Sequence, residues 1–178
     1  MKQPWNKLKM KKSDTAFSLY QECKKLFPVW CWNEKSLKSV VNDRDGDYEI
    51  EFAPNIEADE NFKNLSANDL KDKGIVGITL PERLKLEIQY FKATGKHLDI
   101  ENITLCSGSR YSDGYVPHVH WYDVEVFVYW YYPVRANDSL RSRQAVSKTS
   151  DLNLETLPDE LEINGVKYIK KQKVAKNN

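Results

Sequence analysis

Long apolar runs are missing from this sequence of 178 residues. A helix that crosses a bilayer needs roughly 20 consecutive apolar residues, and no run approaches that length. The N-terminal stretch MKQPWNKLKMKK is basic but lacks the apolar core of a secretion signal. We therefore expect a cytoplasmic protein without a membrane partner.

Cysteine is also scarce. Cys23, Cys31 and Cys106 are odd in number and form no Cys-x-x-Cys pair, which argues against a disulfide framework and a zinc knuckle.

Catalytic motifs are missing as well. The sequence contains no Gly-x-Ser-x-Gly elbow, and Ser107-Gly108-Ser109-Arg110 leads into no predicted helix that could hold a phosphate. Because no catalytic motif is complete, a non-enzymatic protein is favoured, and we expect no cofactor.

Positive charge is in deficit in the middle of the chain, where acidic residues outnumber basic ones. Residues 1–12 and residues 167–178 each contain five lysines and no acidic residue. The other 17 basic residues face all 26 acidic ones, so residues 13–166 have a formal charge of −9. A folded nucleic-acid-binding face would instead cluster Lys and Arg on one element. Only the lysine-rich tails could therefore contact nucleic acid.

What the sequence has in abundance is concentrated in residues 103–132. This stretch contains two of the three histidines, two of the five tryptophans and six of the ten tyrosines. Residues 123–131 alternate cleanly, which predicts a strand. One face would present Val124, Val126, Val128 and Trp130, and the other Asp123, Glu125, Phe127, Tyr129 and Tyr131. Residues 103–106 would form the preceding strand, with a turn at residues 112–114 between the two.

Two helices are predicted from apolar residues at helical spacing. One covers residues 13–27, with Ser13 or Asp14 as its cap. The other follows Thr79, which with Glu82 has the form of a capping box, and it ends at Gly95. Residues 54–76 show no sustained period and are predicted to be a loop.

These elements predict an α+β fold, with a mainly antiparallel sheet centred on residues 103–132 and two or three helices packed on one face. Residues 1–150 would form this single domain, preceded by a basic N-terminal arm. Residues 151–178 would form a C-terminal hairpin, with Asn164-Gly165 as its two-residue turn, and a basic tail.

The aromatic side of the central strand is the candidate binding surface. We then expect Phe127, Tyr129 and Tyr131 to be at least partly exposed, and Val124, Val126, Val128 and Trp130 to be buried. Tyrosine, arginine and histidine supply contact area and hydrogen bonds at a small entropic cost. The candidate binding residues are Arg110, His118, His120, Tyr122, Phe127, Tyr129, Tyr131, Tyr132 and Arg135. The partner would be a protein or a small-molecule ligand. The alternative is that this face is core, covered by the helix of residues 79–95.

A second possibility is a metal site at His118 and His120, because residues two apart on a strand point to the same side. With Glu125, they give a His-x-His-x4-Glu spacing that resembles part of the first metal motif of the cupin family. This resemblance covers about eight residues and implies a transition metal and a metal-dependent enzyme. The cupin motif has a glycine five residues before its first histidine, whereas Gly114 is four residues before His118. A strand continuous through residues 122–124 would also place Glu125 on the face of the sheet opposite the histidines.

Two further resemblances concern origin. In residues 115–139, Val, Trp and Pro are interleaved with a second set of residue types: Tyr, His, Asp, Phe, Asn and Ser. Most codons of this second set arise from an asparagine codon when its adenines are mutated, so these positions look variable. This resembles the variable segments of retroelement-diversified recognition proteins. Residues 140–147 and 157–168 resemble short uncharacterised proteins of bacteriophages and bacterial mobile elements. The function favoured by the sequence is therefore that of a non-enzymatic binding protein, an accessory factor of a phage or mobile element.

Overall fold

A computed structural model of the protein describes residues 4–145 and the backbone of two strands further on, residues 160–163 and 166–169. The chain divides into two compact units, residues 1–146 and residues 147–178. No helix in the described ranges is long and apolar enough to cross a membrane. The lysine-rich end, residues 170–178, lies outside the described residues.

The first unit contains three α-helices, two short 3₁₀ helices and nine strands among its described residues. The α-helices are α1 (Ala16–Leu26), α2 (Ala67–Asp72) and α3 (Leu80–Thr94), and the 3₁₀ helices are Glu34–Ser39 and Glu60–Phe62. The strands are β1 (Lys7–Met10), β2 (Val29–Cys31), β3 (Val41–Asn42), β4 (Tyr48–Glu51), β5 (Ile103–Leu105), β6 (Ser109–Arg110), β7 (Val116–Tyr122), β8 (Glu125–Tyr131) and β9 (Leu140–Arg141).

Five of these strands form the central sheet, in the order β2-β8-β7-β5-β9. The inner pairs β7–β8 and β5–β7 are antiparallel, and the edge strands β2 and β9 add in parallel to β8 and β5. Two small sheets, β1–β4 and β3–β6, complete the unit. The α+β fold predicted from the sequence, with its sheet centred on residues 103–132, is therefore confirmed.

Helices α1 and α3 cover one side of the central sheet. α3 begins at Thr79, whose side chain accepts a hydrogen bond from the Glu82 backbone, and ends at Gly95 in the left-handed region, as the sequence predicted. α1 is capped by Thr15, one residue after the predicted choice of Ser13 or Asp14. The apolar sides of both helices join one core with the sheet residues Val119, Val126 and Val128.

Charged groups also lie in this core and connect α3 to the sheet. Arg83 is 2.8 Å from the Asp99 carboxylate and 2.6 Å from that of Glu87. The Arg143 guanidinium approaches the other oxygen of Asp99 at 2.6 Å, and Thr104 on β5 donates its hydroxyl hydrogen to the same carboxylate. Because a buried charge is unfavourable without a partner, these residues depend on one another as a single ion-pair network.

Helix α2 was missed in the sequence, which predicted a loop at residues 54–76. The helix starts at Ser66, whose hydroxyl accepts from the Asp69 backbone while the Asp69 carboxylate accepts from the Ser66 backbone. α2 lies on the side of the sheet opposite α1 and α3. There its apolar residues pack with neighbours in a second, smaller core of Phe62, Ala67, Leu70, Leu105, Val116 and Leu140.

The second unit contains the strands β10 (Glu160–Ile163) and β11 (Val166–Ile169). They pair antiparallel, with Ile163 opposite Val166. This is the hairpin pairing predicted from the sequence, whereas the Asn164-Gly165 turn itself lies outside the described residues.

Candidate binding site on the aromatic face

The site begins with a tight hairpin that the sequence pattern concealed. Tyr122 pairs with Glu125, so only Asp123 and Val124 connect β7 to β8. Asp123 has a φ of 56°, in the left-handed region that Asp tolerates better than most residues. The prediction of a continuous strand over residues 123–131 was therefore wrong at its start. The preceding strand is β7, whereas residues 103–105 pair with the far side of β7.

This turn reverses the expected position of Glu125. Side chains directly opposite each other in an antiparallel pair share one face. His120 is opposite Phe127 and His118 is opposite Tyr129. Glu125, two residues before Phe127, therefore lies on the histidine side of the sheet, not on the side opposite the histidines as the sequence had indicated. Val124, expected to be buried, is 65% exposed in the turn.

One side of the sheet brings the aromatic residues of three strands together. We call this surface the aromatic face. It comprises Trp30, His118, His120, Tyr122, Phe127, Tyr129 and Tyr131. Helices α1 and α3 pack against the opposite side, so the alternative that the helix of residues 79–95 covers this face does not hold.

The rings of the aromatic face contact one another along and across the strands. Trp30 stacks on Phe127 with centroids 4.6 Å apart, and Tyr129 adjoins both rings at 6.1 and 5.8 Å. Trp30 is 37% exposed and Tyr122 63%, while Phe127, Tyr129 and Tyr131 are half-buried. The predicted partial exposure of these last three residues is confirmed.

The opposite side of β8 behaves as expected for a core, except at its end. Val126 and Val128 are fully buried. Trp130, which was also expected to be buried, is half-buried and stacks on Tyr115 with centroids 4.2 Å apart. Tyr132, an exposed ring, contacts this same pair. Although the sequence placed Tyr132 in the candidate binding surface, the structure puts it with Trp130, away from the aromatic face.

Of the two histidines on the aromatic face, His118 is buried and His120 is half-buried. His118 is 1% exposed and stacks on Tyr131 with centroids 4.2 Å apart. Neither of its ring nitrogens has a hydrogen-bond partner among the described residues, and the same holds for Nδ1 of His120. Burial, and secondarily the neighbouring His120, lowers the pKa of His118 to about 3. Burial also lowers the pKa of His120, so both rings are neutral at pH 7.

Neutral imidazoles are the form that binds metal ions. The centroids of His118 and His120 are 5.6 Å apart, a separation that allows both rings to reach one ion. Within the described ranges, however, no group of three or more His, Cys, Asp or Glu residues is arranged to hold a metal. The geometry therefore offers two nitrogen ligands and no third ligand of these types.

The candidate arginines are divided between two places. The Arg135 guanidinium lies 5.9 Å from the Tyr131 ring and so borders the aromatic face. Arg110 is on β6, which pairs with β3 in a separate sheet, and its guanidinium donates to the carbonyl oxygens of Ser107 and Ser109. Of the nine candidate binding residues, Arg110 and Tyr132 are thus the two that the structure places elsewhere.

Trp30 is the member of the aromatic face that sequence reasoning missed. From sequence alone, the short segment of Val29, Trp30, Cys31 and Trp32 indicates a core anchor, because tryptophan usually buries a large area. In the structure Trp30 is opposite Phe127, while Val29 and Cys31 point to the helix side. The alternation of Val29, Trp30 and Cys31 was the available signal, but three residues are too few to define a strand.

Cys106 is not placed to act as a nucleophile. It is fully buried in the main core, and burial raises the pKa of its thiol far above the usual range. The preceding residue, Leu105, is opposite His118, so Cys106 points to the other side of the sheet. The thiol thus stays protonated at neutral pH and away from the histidines.

No protein-family model, curated protein or solved structure matches this chain.

Proposed function

We propose that this chain is a non-enzymatic binding protein that engages a partner protein through the aromatic face. The observation that supports the proposal is the position of this face: aromatic rings on three adjacent strands stay partly exposed on the side of the sheet opposite α1 and α3. An ordinary core would bury such rings, since each removes a large apolar area from water.

The composition of the aromatic face favours a protein partner over a small ligand. Tryptophan, tyrosine, phenylalanine and arginine are enriched in protein interfaces, and lysine and acidic residues are depleted. The aromatic face has Glu125 as its one acidic neighbour on β8 and Arg135 at its border. Exposed tryptophan and tyrosine are the residues that most often dominate binding energy. Trp32, 63% exposed directly after β2, extends this character beyond the sheet.

The alternation of residue types agrees with a recognition role. Each tyrosine, histidine and phenylalanine that the sequence grouped as variable between residues 118 and 131 lies on the aromatic face. The interleaved Val119, Trp121, Val126, Val128 and Trp130 lie on the other side. Diversification of the first set would alter the binding surface and leave the core intact. This supports the retroelement-diversified protein as one form of the proposal. The resemblance of residues 140–147 and 157–168 favours a phage or mobile-element accessory factor as its setting.

Site-specific photo-crosslinking in the cells that make the protein tests the proposal. A photoreactive phenylalanine analogue replaces Tyr122 on the aromatic face or Tyr132 on the other side. The two tyrosines are similarly exposed, at 63% and 56%, so they form a matched pair. We expect a discrete crosslinked protein from position 122 and none from position 132. Equal crosslinking at both positions, or none at either, would refute a specific interface on the aromatic face.

A metal-dependent enzyme is the second candidate, and the unpartnered nitrogens of His118 and His120 favour it. Elemental analysis of protein purified without chelators tests it. A transition metal in stoichiometric amount, lost on His120→Ala but kept on Tyr122→Ala, would establish a metal site. Metal content below one tenth of an equivalent in the unmodified protein would remove this candidate.

A further inference from the structure

A groove that contains no residue of the aromatic face has its own binding chemistry. It encloses about 540 Å³ between the end of α2 and the segment around β6. Its charged lining residues are Asp43, Arg44, Lys71 and Arg110, and Ser107 adds a hydroxyl. Its apolar wall is formed by Ala67, Leu70, Ile75 and Val76. A pocket of this size suits a small organic molecule.

Arg110 differs from every other arginine that is buried or half-buried in this protein. Arg44 binds Glu82, Arg83 binds Glu87 and Asp99, Arg141 binds Glu60, and Arg143 binds Asp99. Arg110 is half-buried, yet no described carboxylate lies within 4.0 Å of it. The sixth arginine, Arg135, is exposed and does not need a counter-charge.

The Arg110 side chain is held in place by only part of its guanidinium. Its Nη1 donates to the carbonyl oxygens of Ser107 at 2.8 Å and Ser109 at 2.7 Å. Nε and Nη2 make no hydrogen bond to any residue in the described part of the chain. Burial lowers the pKa of Arg110, and the nearby Asp43 only partly offsets that effect. The site thus has a fixed cation with no described carboxylate in direct contact.

The other charges around the groove determine how much negative charge it can accept. Arg44 is neutralised by Glu82, which it contacts through Nε at 2.9 Å and Nη2 at 2.7 Å. Lys71 is exposed and adds one positive charge, and Asp43 adds one negative charge. Together with the charge of Arg110, these groups leave one net positive charge in the groove, which a bound oxyanion would neutralise. Guanidinium groups bind carboxylate and phosphate oxygens in the same fork geometry.

We propose that this groove binds a small organic oxyanion, whose carboxylate or phosphate group contacts Arg110 and whose apolar body packs against Ile75 and Val76. Val76 is 46% exposed and Ile75 half-buried, so both have apolar surface left to cover. The site is separate from the aromatic face and is independent of the function proposed for that face.

Titration with three matched probes tests this inference. Benzoate and phenyl phosphate combine an oxyanion with an apolar ring, and benzyl alcohol retains the ring without the charge. Binding is followed by the chemical shifts of the Ile75 and Val76 methyl groups. We expect saturable binding of at least one anion, at least tenfold tighter than that of benzyl alcohol. The tighter of the two anions identifies the oxyanion that the groove prefers.

Variants assign the binding to Arg110. Arg110→Gln should weaken anion binding at least tenfold, whereas Arg135→Gln, which removes an arginine outside the groove, should leave it unchanged. Asp43→Asn should strengthen binding, because it removes the competing carboxylate. If Arg110→Gln is unfolded by thermal melting, Arg110→Lys and Asp43→Asn carry the test. Failure of both anions to bind, equal binding of benzyl alcohol, or equal loss in Arg135→Gln would overturn the inference.

Discussion

Trp30 and Phe127 stack face to face across the parallel pair β2–β8, with ring centroids 4.6 Å apart and planes within 7° of parallel. The contact joins a residue of the edge strand to the central hairpin. It occurs on a partly exposed surface, where Trp30 remains 37% accessible. The stack therefore organises the aromatic face without removing it from solvent.

A double-mutant cycle of Trp30→Ala and Phe127→Ala should detect this stack. We expect a coupling of about 0.5–1.5 kcal/mol in the free energy of unfolding, the range typical of aromatic pairs. Urea denaturation of the two single variants and the double variant measures it. Additive effects of the two substitutions would mean that the rings do not interact in solution.

The two sides of the β-hairpin should differ in their tolerance of truncation. Tyr122→Ala should change the free energy of unfolding by less than about 0.5 kcal/mol, because its ring is exposed. Val128→Ala removes buried methyl groups from the main core and should destabilise the protein by roughly 1–3 kcal/mol. Denaturation curves of the two variants compare them directly. If Tyr122→Ala destabilises the protein more than Val128→Ala does, the exposed and buried faces of the hairpin are exchanged.

Acid should destabilise the protein partly through His118. The pKa of this ring is about 3 in the folded protein, against an ordinary value of 6.5 for an exposed histidine. Because the unfolded chain binds the proton more readily, the stability is fully present above pH 6.5 and declines as the pH falls toward 3. The loss from this one group is about 1.4 kcal/mol per pH unit across that window.

His118→Phe keeps a ring beside Tyr131 and removes both unpaired nitrogens. The free energy of unfolding at pH 7 should be unchanged or higher, since a buried polar group without a partner is unfavourable. Between pH 6 and pH 4, the free energy of unfolding of the variant should fall less steeply with decreasing pH, by about 1.4 kcal/mol per pH unit, because one proton fewer is taken up on unfolding. Urea denaturation at each pH gives both quantities. An unaltered slope would mean that His118 is protonated in the folded state.

Asp99 should be among the residues least tolerant of replacement. Asp99→Ala leaves Arg83 and Arg143 buried without their shared carboxylate, and we expect a loss of about 3–5 kcal/mol. Glu101→Ala, at an exposed position two residues later, is the matched control and should change stability by under about 0.5 kcal/mol. Comparable effects of the two substitutions would show that the ionic group does not hold α3 to the sheet.

The sequence predicted those elements whose signals are local. The helix α3 was placed within a residue because Thr79, Glu82 and Gly95 mark both of its ends. The antiparallel pairing of β10 with β11 followed from the Asn164-Gly165 signal in the sequence. Helix α2 has the same kind of cap, but its six residues are too short to reveal a helical period.

The site was only partly predictable, because a turn without glycine or proline leaves little trace. Asp123-Val124 continues the alternation of polar and apolar residues, so the hairpin looks like one strand and the position of Glu125 is reversed. The separation of Arg110 from Arg135 depends on which strands pair, and no local pattern determines that. The same applies to the ion pairs of Arg83 and Arg143, whose partner Asp99 lies in a distant segment.

The affinity of the partner captured by crosslinking shows whether the aromatic face is the binding surface. Isothermal titration should show that Tyr129→Ala weakens binding by about 1–2 kcal/mol or more, as expected for an aromatic anchor. Tyr132→Ala, on the other side of the sheet, should leave the dissociation constant unchanged. If Tyr132→Ala weakens binding and Tyr129→Ala does not, the aromatic face is not the binding surface.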